Sequence, residues 1–446
     1  MLQEDALELM ECGFNILLTG GAGTGKSHTL KKYITHLEKL TSSEKVAITA
    51  STGLAASLIG GKTIHSWLGI GVKQEMTDQQ IIEMLQKNDH KALTIKKCKV
   101  LIMDEISMLH RKQFELANRV VQIAKSSSLP FGGIQVIIVG DFCQLPPVVK
   151  ERQVEPDRER FCFMSKSWTD LDLKHCYLEK SFRSESNQLN DLLNAIRTQC
   201  IKPPHLDLLK SRIIKTDKDV LELHTHNTNV DYINFQKLAS LDSESKTFSM
   251  VKEGNFKLIE NLMKNCLAVE ELELKVGAKV LFIRNDPMGI FVNGTQGVIK
   301  EFKEDPELGL LPVVETKDGE TIIVEKARWE TENNQGVVVA YIEQFPLKLA
   351  WAITIHKSQG MSLQEAKIDL NKVFEHGQGY VALSRLTNIT GVFLIGFNQY
   401  SLHMNKLAIK ADQRFRELSE ENLTQHKKLG PEKIKELIDK FNNRIK

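Results

Sequence analysis

The sequence predicts an α/β protein built from two doubly wound parallel-sheet lobes, with a small helical and loop insertion in the first lobe and a small β-barrel insertion in the second. Three observations predict it. Short apolar runs alternate with longer amphipathic stretches over residues 1–145, the rhythm of βαβ units in a parallel sheet covered on both faces. A glycine-rich turn of phosphate-binding type joins the first apolar run to the first amphipathic stretch. A second alternation begins near Cys176 and is interrupted at 276–343 by short strands separated by turn signals.

Taken in order, the runs at 15–18, 45–51, 100–103 and 135–139 are strands of the first lobe, assigned to residues 1–70 and 98–175. Residues 71–97 are polar and rich in Gln and Lys, with Ile81, Ile82, Met84 and Leu85 in a helical pattern. They read as an insertion on that lobe and a candidate wedge. The runs 220–225, 366–370 and 392–397 are strands of the second lobe, assigned to 176–275 and 344–400. Within 276–343, short strands at 279–283, 297–302, 311–316, 321–324 and 337–342 are punctuated by Gly-Thr-Gln-Gly, Lys-Asp-Gly-Glu and Asn-Asn-Gln-Gly, which describes an antiparallel barrel. Residues 401–446 are charged and helical in pattern, with a helix start near Pro431, and read as a solvated tail.

Composition narrows the function classes. With 41% hydrophobic and 26% charged residues the chain is of ordinary globular type, and no apolar run approaches the length of a membrane span. The opening residues carry no basic-then-apolar leader, so the expected compartment is the cytosol, with association with the nucleoid. Net charge is +2, from 59 Lys and Arg against 57 Asp and Glu, so a nucleic-acid site must be a local groove and not a whole-molecule field. The seven Cys are scattered with no C-x-x-C pair, which argues against disulfides, zinc and iron–sulfur clusters.

The sharpest local signal is Gly20-Gly-Ala-Gly-Thr-Gly-Lys26-Ser27, between an apolar run and an amphipathic stretch. Gly21, Gly23, Thr24 and Gly25 let backbone N–H groups close around phosphate oxygens at a helix N-terminus. Lys26 balances phosphate charge and Ser27 offers a hydroxyl to Mg²⁺. Further on, the apolar run at 100–103 ends in Asp104-Glu105. There Asp104 can hold the metal while Glu105 orients a water for in-line attack. An Asn-Lys-x-Asp stretch for guanine and a Leu-Ser-Gly-Gly-Gln transporter signature are both absent from the sequence, which leaves ATP as the nucleotide.

Downstream lies Phe131-Gly-Gly-Ile-Gln-Val-Ile-Ile-Val-Gly-Asp-Phe-Cys-Gln144-Leu-Pro-Pro147-Val. With it come Ala50-Ser-Thr-Gly-Leu-Ala-Ala-Ser, Gly61-Lys-Thr-Ile-His65-Ser, Ser181-Phe-Arg183-Ser, Leu349-Ala-Trp-Ala-Ile-Thr-Ile-His356-Lys357-Ser358-Gln359-Gly360 and Tyr380-Val-Ala-Leu-Ser-Arg385. In these ordered blocks the sequence resembles the PIF-type DNA helicases of superfamily 1. The resemblance implies two RecA-like lobes, an inserted barrel of Src-homology type, and ATP-driven translocation on single-stranded DNA from 5′ to 3′.

It also implies residue roles. Gln3 reads the adenine edge, although an ordinary polar residue near a terminus is the plainer alternative. Gln144 links the γ-phosphate to the DNA groove, or merely caps. Arg183 and Arg385 bring guanidinium charge to the phosphoryl transition state, and Gln359 and Gly360 approach the γ-phosphate beside them. Thr52, Thr63, His65, His356, Lys357 and Ser358 line the backbone of the strand, as sequence-independent tracking requires; each read alone is more often a cap or a core residue. The implied partners are single-stranded DNA and junctions of single- and double-stranded DNA, acted on by a monomer with ATP and Mg²⁺ in replication, repair or telomere-type maintenance. A RecD-type or Dda-type helicase, and a DNA-stimulated ATPase that remodels protein–DNA complexes without unwinding, are the two alternatives.

Overall fold

Strands buried on both faces of a parallel sheet have no reason to alternate, and the first four apolar runs do not alternate. The computed structural model describes the chain except Val72, residues 148–155, 181–186, 217–219, Leu267, Pro287, Val292, 317–318 and 333–336. It divides into two units: Met1–Ile201 with Glu375–Tyr380 and Leu402–Lys446, and Lys202–Phe374 with Val381–Ser401. No helix among the described residues is long and apolar enough to cross a membrane.

In the first unit, six described strands form one sheet: β1 (Ile16–Gly20), β2 (Val46–Ala50), β3 (Lys62–Thr63), β4 (Val100–Asp104), β5 (Gln135–Val139) and β6 (Lys174–Leu178). They are all parallel, in the order β3-β2-β4-β5-β1-β6. Alternate residues go to opposite faces. Leu17, Leu101, Met103, Val136 and Ile138 join one core, while Ile16, Leu18, Ile102, Ile137 and Val139 join the other. After β1 the chain jumps past β5 and β4 to reach β2. Such a jump leaves a crevice beyond the carboxyl ends of the strands, where α/β sheets hold their ligands. The helix Lys26–Leu40 makes that jump, and it buries Leu30, Tyr33, Ile34 and Leu37 as one stripe.

Two expected assignments are corrected here, those of Cys176 and of the tail. Cys176 does not open the second lobe: it lies in β6, paired along its length with β1 in the first sheet. An apolar run does not encode its neighbour, and the parallel pairing decided it. The insertion at 71–97 is helical, as Asp78–Gln86 and Asp89–Lys97, but its Ile81, Leu85 and Ile95 belong to the first unit's own core. The tail is not solvated either. Helices Lys406–Lys427 and Gly430–Ile445 dock on the first unit, with Phe415 among Phe142, Phe163 and Trp168 and with Phe441 against Gly13. Ser419 Oγ accepts from the Tyr177 amide of β6 at 2.9 Å. Few apolar residues mark these helices, and Phe415 and Phe441 are spent on contacts more than 200 residues away in sequence.

The second unit starts its sheet with β7 (Glu222–His224) and then departs into ten described strands: β8 (Ser245–Ser249), β9 (Val251–Gly254), β10 (Glu271–Lys275), β11 (Lys279–Phe282), β12 (Gln296–Asp305), β13 (Gly309–Thr316), β14 (Thr321–Ile323), β15 (Ala327–Glu332), β16 (Val338–Gln344) and β17 (Leu347–Leu349). These pair antiparallel as β14-β13-β12-β11-β17, β15-β16-β9 and β10-β8. The inserted piece therefore runs from Ser245 to Leu349, wider than the expected 276–343. Its early strands escape notice because they alternate polar and apolar residues, with only Leu272 and Leu274 of β10 pointing inward. The sheet resumes with β18 (Ala352–Thr354), β19 (Ala366–Leu370) and β20 (Val392–Phe397), parallel in the order β18-β7-β19-β20.

Candidate active site and nucleic-acid interface

At the end of β1 the backbone must curl tightly, and Gly25 does so with a left-handed φ of +89°. A Cβ there would stand 2.0 Å from Gln3 Nε2, so glycine also lets the first helix close on the loop. Gln3 Nε2 donates to the Thr24 carbonyl at 3.2 Å, which puts the expected base-reading residue against the phosphate loop. Thr24 Oγ1 donates to the Gly21 carbonyl at 2.9 Å and braces the turn. Lys26 Nζ donates to the carbonyls of Gly20 (2.9 Å) and Gly21 (2.8 Å), so its ammonium lies inside the loop. Ser27 is exposed one residue on.

The neighbouring strand ends supply the acids. Asp104 ends β4 in burial, and burial, then the charge of Glu105, push its carboxyl up to about 7, with Lys26 pulling the other way. A buried carboxylate beside another carboxylate gains from a cation, so the donor set fits Mg²⁺. Glu105 adopts φ +50°, strained for a residue with a Cβ, and its carbonyl is held by Ser51 Oγ at 2.7 Å. This strain turns the chain sharply right after the metal-type acid. From the end of β5 comes Asp141, with Gln144 Nε2 donating to its Oδ2 at 3.3 Å. Lys26, Asp104 and Asp141 are electrostatic neighbours, and Gln144 is tied to them through Asp141.

Other expected residues fall into two groups. In the first unit, the β2–β3 register sets Ala50 beside Thr63, which brings Thr52 and Thr63 to one sheet edge. Both act as caps: Thr52 Oγ1 accepts from Ala55 N and Thr63 Oγ1 from Ser66 N, each at 3.2 Å. His65 comes two residues later and is half-buried, and burial holds its ring below the usual range despite a bond with Gln113, so the ring it offers is neutral. In the second unit, His356, Lys357 and Ser358 form a short turn after β18. Ser358 is fully buried, and its hydroxyl donates to the Ile355 carbonyl at 2.7 Å. The expected phosphate contact by Ser358 is thereby corrected: the turn needs that hydroxyl for itself. Gln359 is buried and Gly360 exposed after it. Arg385 is buried in the second unit, with Nε donating to the Val381 carbonyl and Nη2 to Ser384 Oγ, both at 2.9 Å. Arg183 lies outside the described residues.

Three features were missed. His226, Phe374 and His356 stack, with ring centroids 5.0 Å and 6.1 Å apart, and Phe374 is 52% exposed. Each comes after the carboxyl end of a different strand, β7, β19 or β18, and the aromatic residue just past the apolar run 366–370 was the one signal available in the sequence. Lys348 is pushed down by burial and then by Lys357, so two ammonium groups crowd one spot and favour an anion. Arg197 is 3% exposed in the first unit and belongs to none of the family-like sequence blocks.

With this geometry in hand, comparison with known proteins is decisive. The family described as PIF1-like helicase matches residues 5–199, and the DNA helicase Pif1 2B domain matches 257–302, inside the antiparallel insertion. The ATP-dependent DNA helicase Pif1 of Psychrobacter sp. (strain PRwf-1) is 39% identical, with 99% of this chain and 74% of the relative aligned. The chain belongs to the PIF1-like helicase family. The crystal structure of Pif1 helicase from Candida albicans superposes with a TM-score of 0.78 at 33% identity, covering 92% of this chain and 98% of that one. Bacteroides sp Pif1 in complex with ADP-AlF4 does so with a TM-score of 0.75 at 27% identity, covering 94% and 97%. Membership bears out the resemblance read from the ordered blocks, the α/β fold class with its antiparallel insertion, and the assignment as an ATP-dependent DNA helicase and hydrolase.

Proposed function

We propose that this PIF1-like helicase moves 5′ to 3′ along single-stranded DNA and parts the duplex at a junction. The observation that carries the reading is the meeting of Lys26, inside the phosphate loop, with the acidic ends of β4 and β5. There Lys26 holds the terminal phosphates of ATP and Gln3 faces the base. Glu105, which follows the metal-type acid on a strained backbone, orients the attacking water, and Gln144 passes the state of the phosphate toward the strand. Arg183 and Arg385 supply guanidinium charge to the phosphoryl oxygens in the transition state. Asp104 and Ser27 would hold Mg²⁺, which when bound neutralises phosphate charge.

The second sheet grips the polynucleotide: His356 and Lys357 with Lys348 face phosphates, and the ring stack on Phe374 faces bases. Thr52, Thr63 and His65 present the first sheet's edge. The Bacteroides relative, solved with ADP-AlF4 and separately bound to ssDNA, supports both halves of this reading. The chain acts as a monomer on this view, with the helices at 78–97 beside the junction.

Unwinding of a forked duplex with a 5′ tail, set against one with a 3′ tail, tests it, with Lys26→Ala and Glu105→Gln as controls. Only the 5′-tailed fork should open, and neither control should open it. Equal opening of both forks removes the polarity, and DNA-stimulated ATPase without strand separation replaces the helicase with a remodeller.

A further inference from the structure

Beneath the phosphate loop lies a buried polar cluster whose centre is Arg197, the last residue of the helix Asn187–Arg197. Its Nη1 donates to Asp141 Oδ2 at 2.8 Å and to Tyr380 Oη at 3.2 Å. Its Nε and Nη2 form a fork on Asp412, at 3.1 Å to Oδ2 and 2.5 Å to Oδ1. The guanidinium also lies over the rings of Tyr177 and Tyr380, at 5.9 Å and 5.8 Å. Every one of these groups belongs to the first unit.

Two carboxylates and a thiol, Asp141, Cys143 and Asp412, stand close enough to suggest a metal. The guanidinium excludes one, because it bonds both carboxylates, and burial drives the Cys143 thiol far up so that it stays protonated. What the cluster does is visible at its ends. Tyr380 Oη accepts from the Ala22 amide of the phosphate loop at 3.2 Å. Asp141 Oδ2, the oxygen that Arg197 holds, also accepts from Gln144 Nε2. Burial alone would raise the Asp141 carboxyl, but Arg197 and then Lys26 outweigh it and keep it below the usual carboxylate range. Gly377 allows this arrangement: a Cβ there would come within 2.8 Å of the Cys143 carbonyl and 2.9 Å of the Gln144 carbonyl.

We infer that Arg197 is a positioning residue for ATP hydrolysis, and that the C-terminal helix Lys406–Lys427 sets it in place through Asp412. A planar guanidinium bonded on two edges transmits the tilt of one edge to the other. The edge on Asp412 therefore fixes the edge that holds Asp141, and with it both Gln144 and the Tyr380 contact to the loop. The inference rests on the reading of the Lys26 loop as the site of ATP hydrolysis.

The test is steady-state ATPase of the full chain at saturating single-stranded DNA, with a melting curve for each variant. Arg197→Lys keeps the charge and loses the fork, and Asp412→Asn keeps the shape and loses the charge. Each should lower kcat by about tenfold or more while KM for ATP changes by less than about threefold, and Asp412→Glu should recover part of the loss. Tyr380→Phe removes one hydroxyl and no charge, and should lower kcat by roughly two- to fivefold in a protein that melts like the parent. Parental kcat in Arg197→Lys and Asp412→Asn with a lowered melting temperature makes the cluster mere scaffolding and overturns the inference. If those two do not fold, parental kcat in Tyr380→Phe overturns it alone. Lys26→Ala separates the two levels: retained turnover there defeats the reading of the loop, whereas its loss beside normal Arg197 and Asp412 variants defeats only this inference.

Discussion

The two parallel sheets of this chain are built alike and equipped differently. At the carboxyl ends of β1, β4 and β5 the first sheet collects a phosphate loop, a buried acid pair and a glutamine. At the carboxyl ends of β7, β18 and β19 the second collects a stack of His226, Phe374 and His356, with Lys357 and Lys348 close by. The same scaffold position serves small, dense charge in one unit and extended rings in the other. Fold places the site, and the side chains beyond the strand ends choose the ligand.

If that division is right, damage to one sheet leaves the other's task intact. The largest effect belongs to Lys26→Ala or Glu105→Gln, which should cut ATPase turnover by about 10²–10³-fold. Fluorescence anisotropy on a short oligonucleotide should show near-parental binding in the same proteins. Next comes Phe374→Ala, expected to weaken single-stranded DNA binding by about 1–3 kcal/mol, because a base loses its stacking surface. Its ATPase without DNA should not change, and an ATPase defect there would break the comparison.

An effect of similar size concerns the interior of the second sheet. His224 Nε2 lies 3.0 Å from Glu222 Oε2, and Nδ1 lies 3.8 Å from Asp369 Oδ2. Burial alone would lower this ring, but Asp369 and Glu222 outweigh it and push it up to about 9. A raised imidazole stabilises the fold fully below its unfolded value near 6.5, and the gain is lost as pH climbs through 9, about 3 kcal/mol at most. Urea midpoints of parent and His224→Gln should therefore differ most near pH 6 and converge above pH 9.5. The smallest effect is that of Ser358→Ala. With its hydroxyl committed to Ile355, the change should cost about 1 kcal/mol of stability and leave DNA affinity unaltered.

Local placement was readable from the chain and partnership was not. The loop at 20–27, Asp104 with Glu105, and Gln144 all sit where the sequence puts them, because glycine spacing and a strand end are properties of adjacent residues. Cys176 went to the wrong lobe for the opposite reason: its run is apolar enough for either sheet, and only pairing with β1 assigns it. The family resemblance implied a phosphate contact for Ser358 together with His356 and Lys357, and a single buried hydrogen bond commits its hydroxyl to the turn instead. The ring stack combines residues from three strand ends, which no window of sequence contains.

By itself the sequence determined a phosphate-binding α/β chain of the PIF type, with its acids named, since these depend on backbone torsion and on the residues that close an apolar run. Tertiary structure alone decided that the last 45 or so residues, charged and sparse in apolar groups, are part of the nucleotide-binding unit. Arg197 and Asp412 are 215 positions apart, and a buried charge pair at that separation leaves no period or spacing to read. It exists because two helices pack on one sheet, and packing is chosen by the whole chain at once.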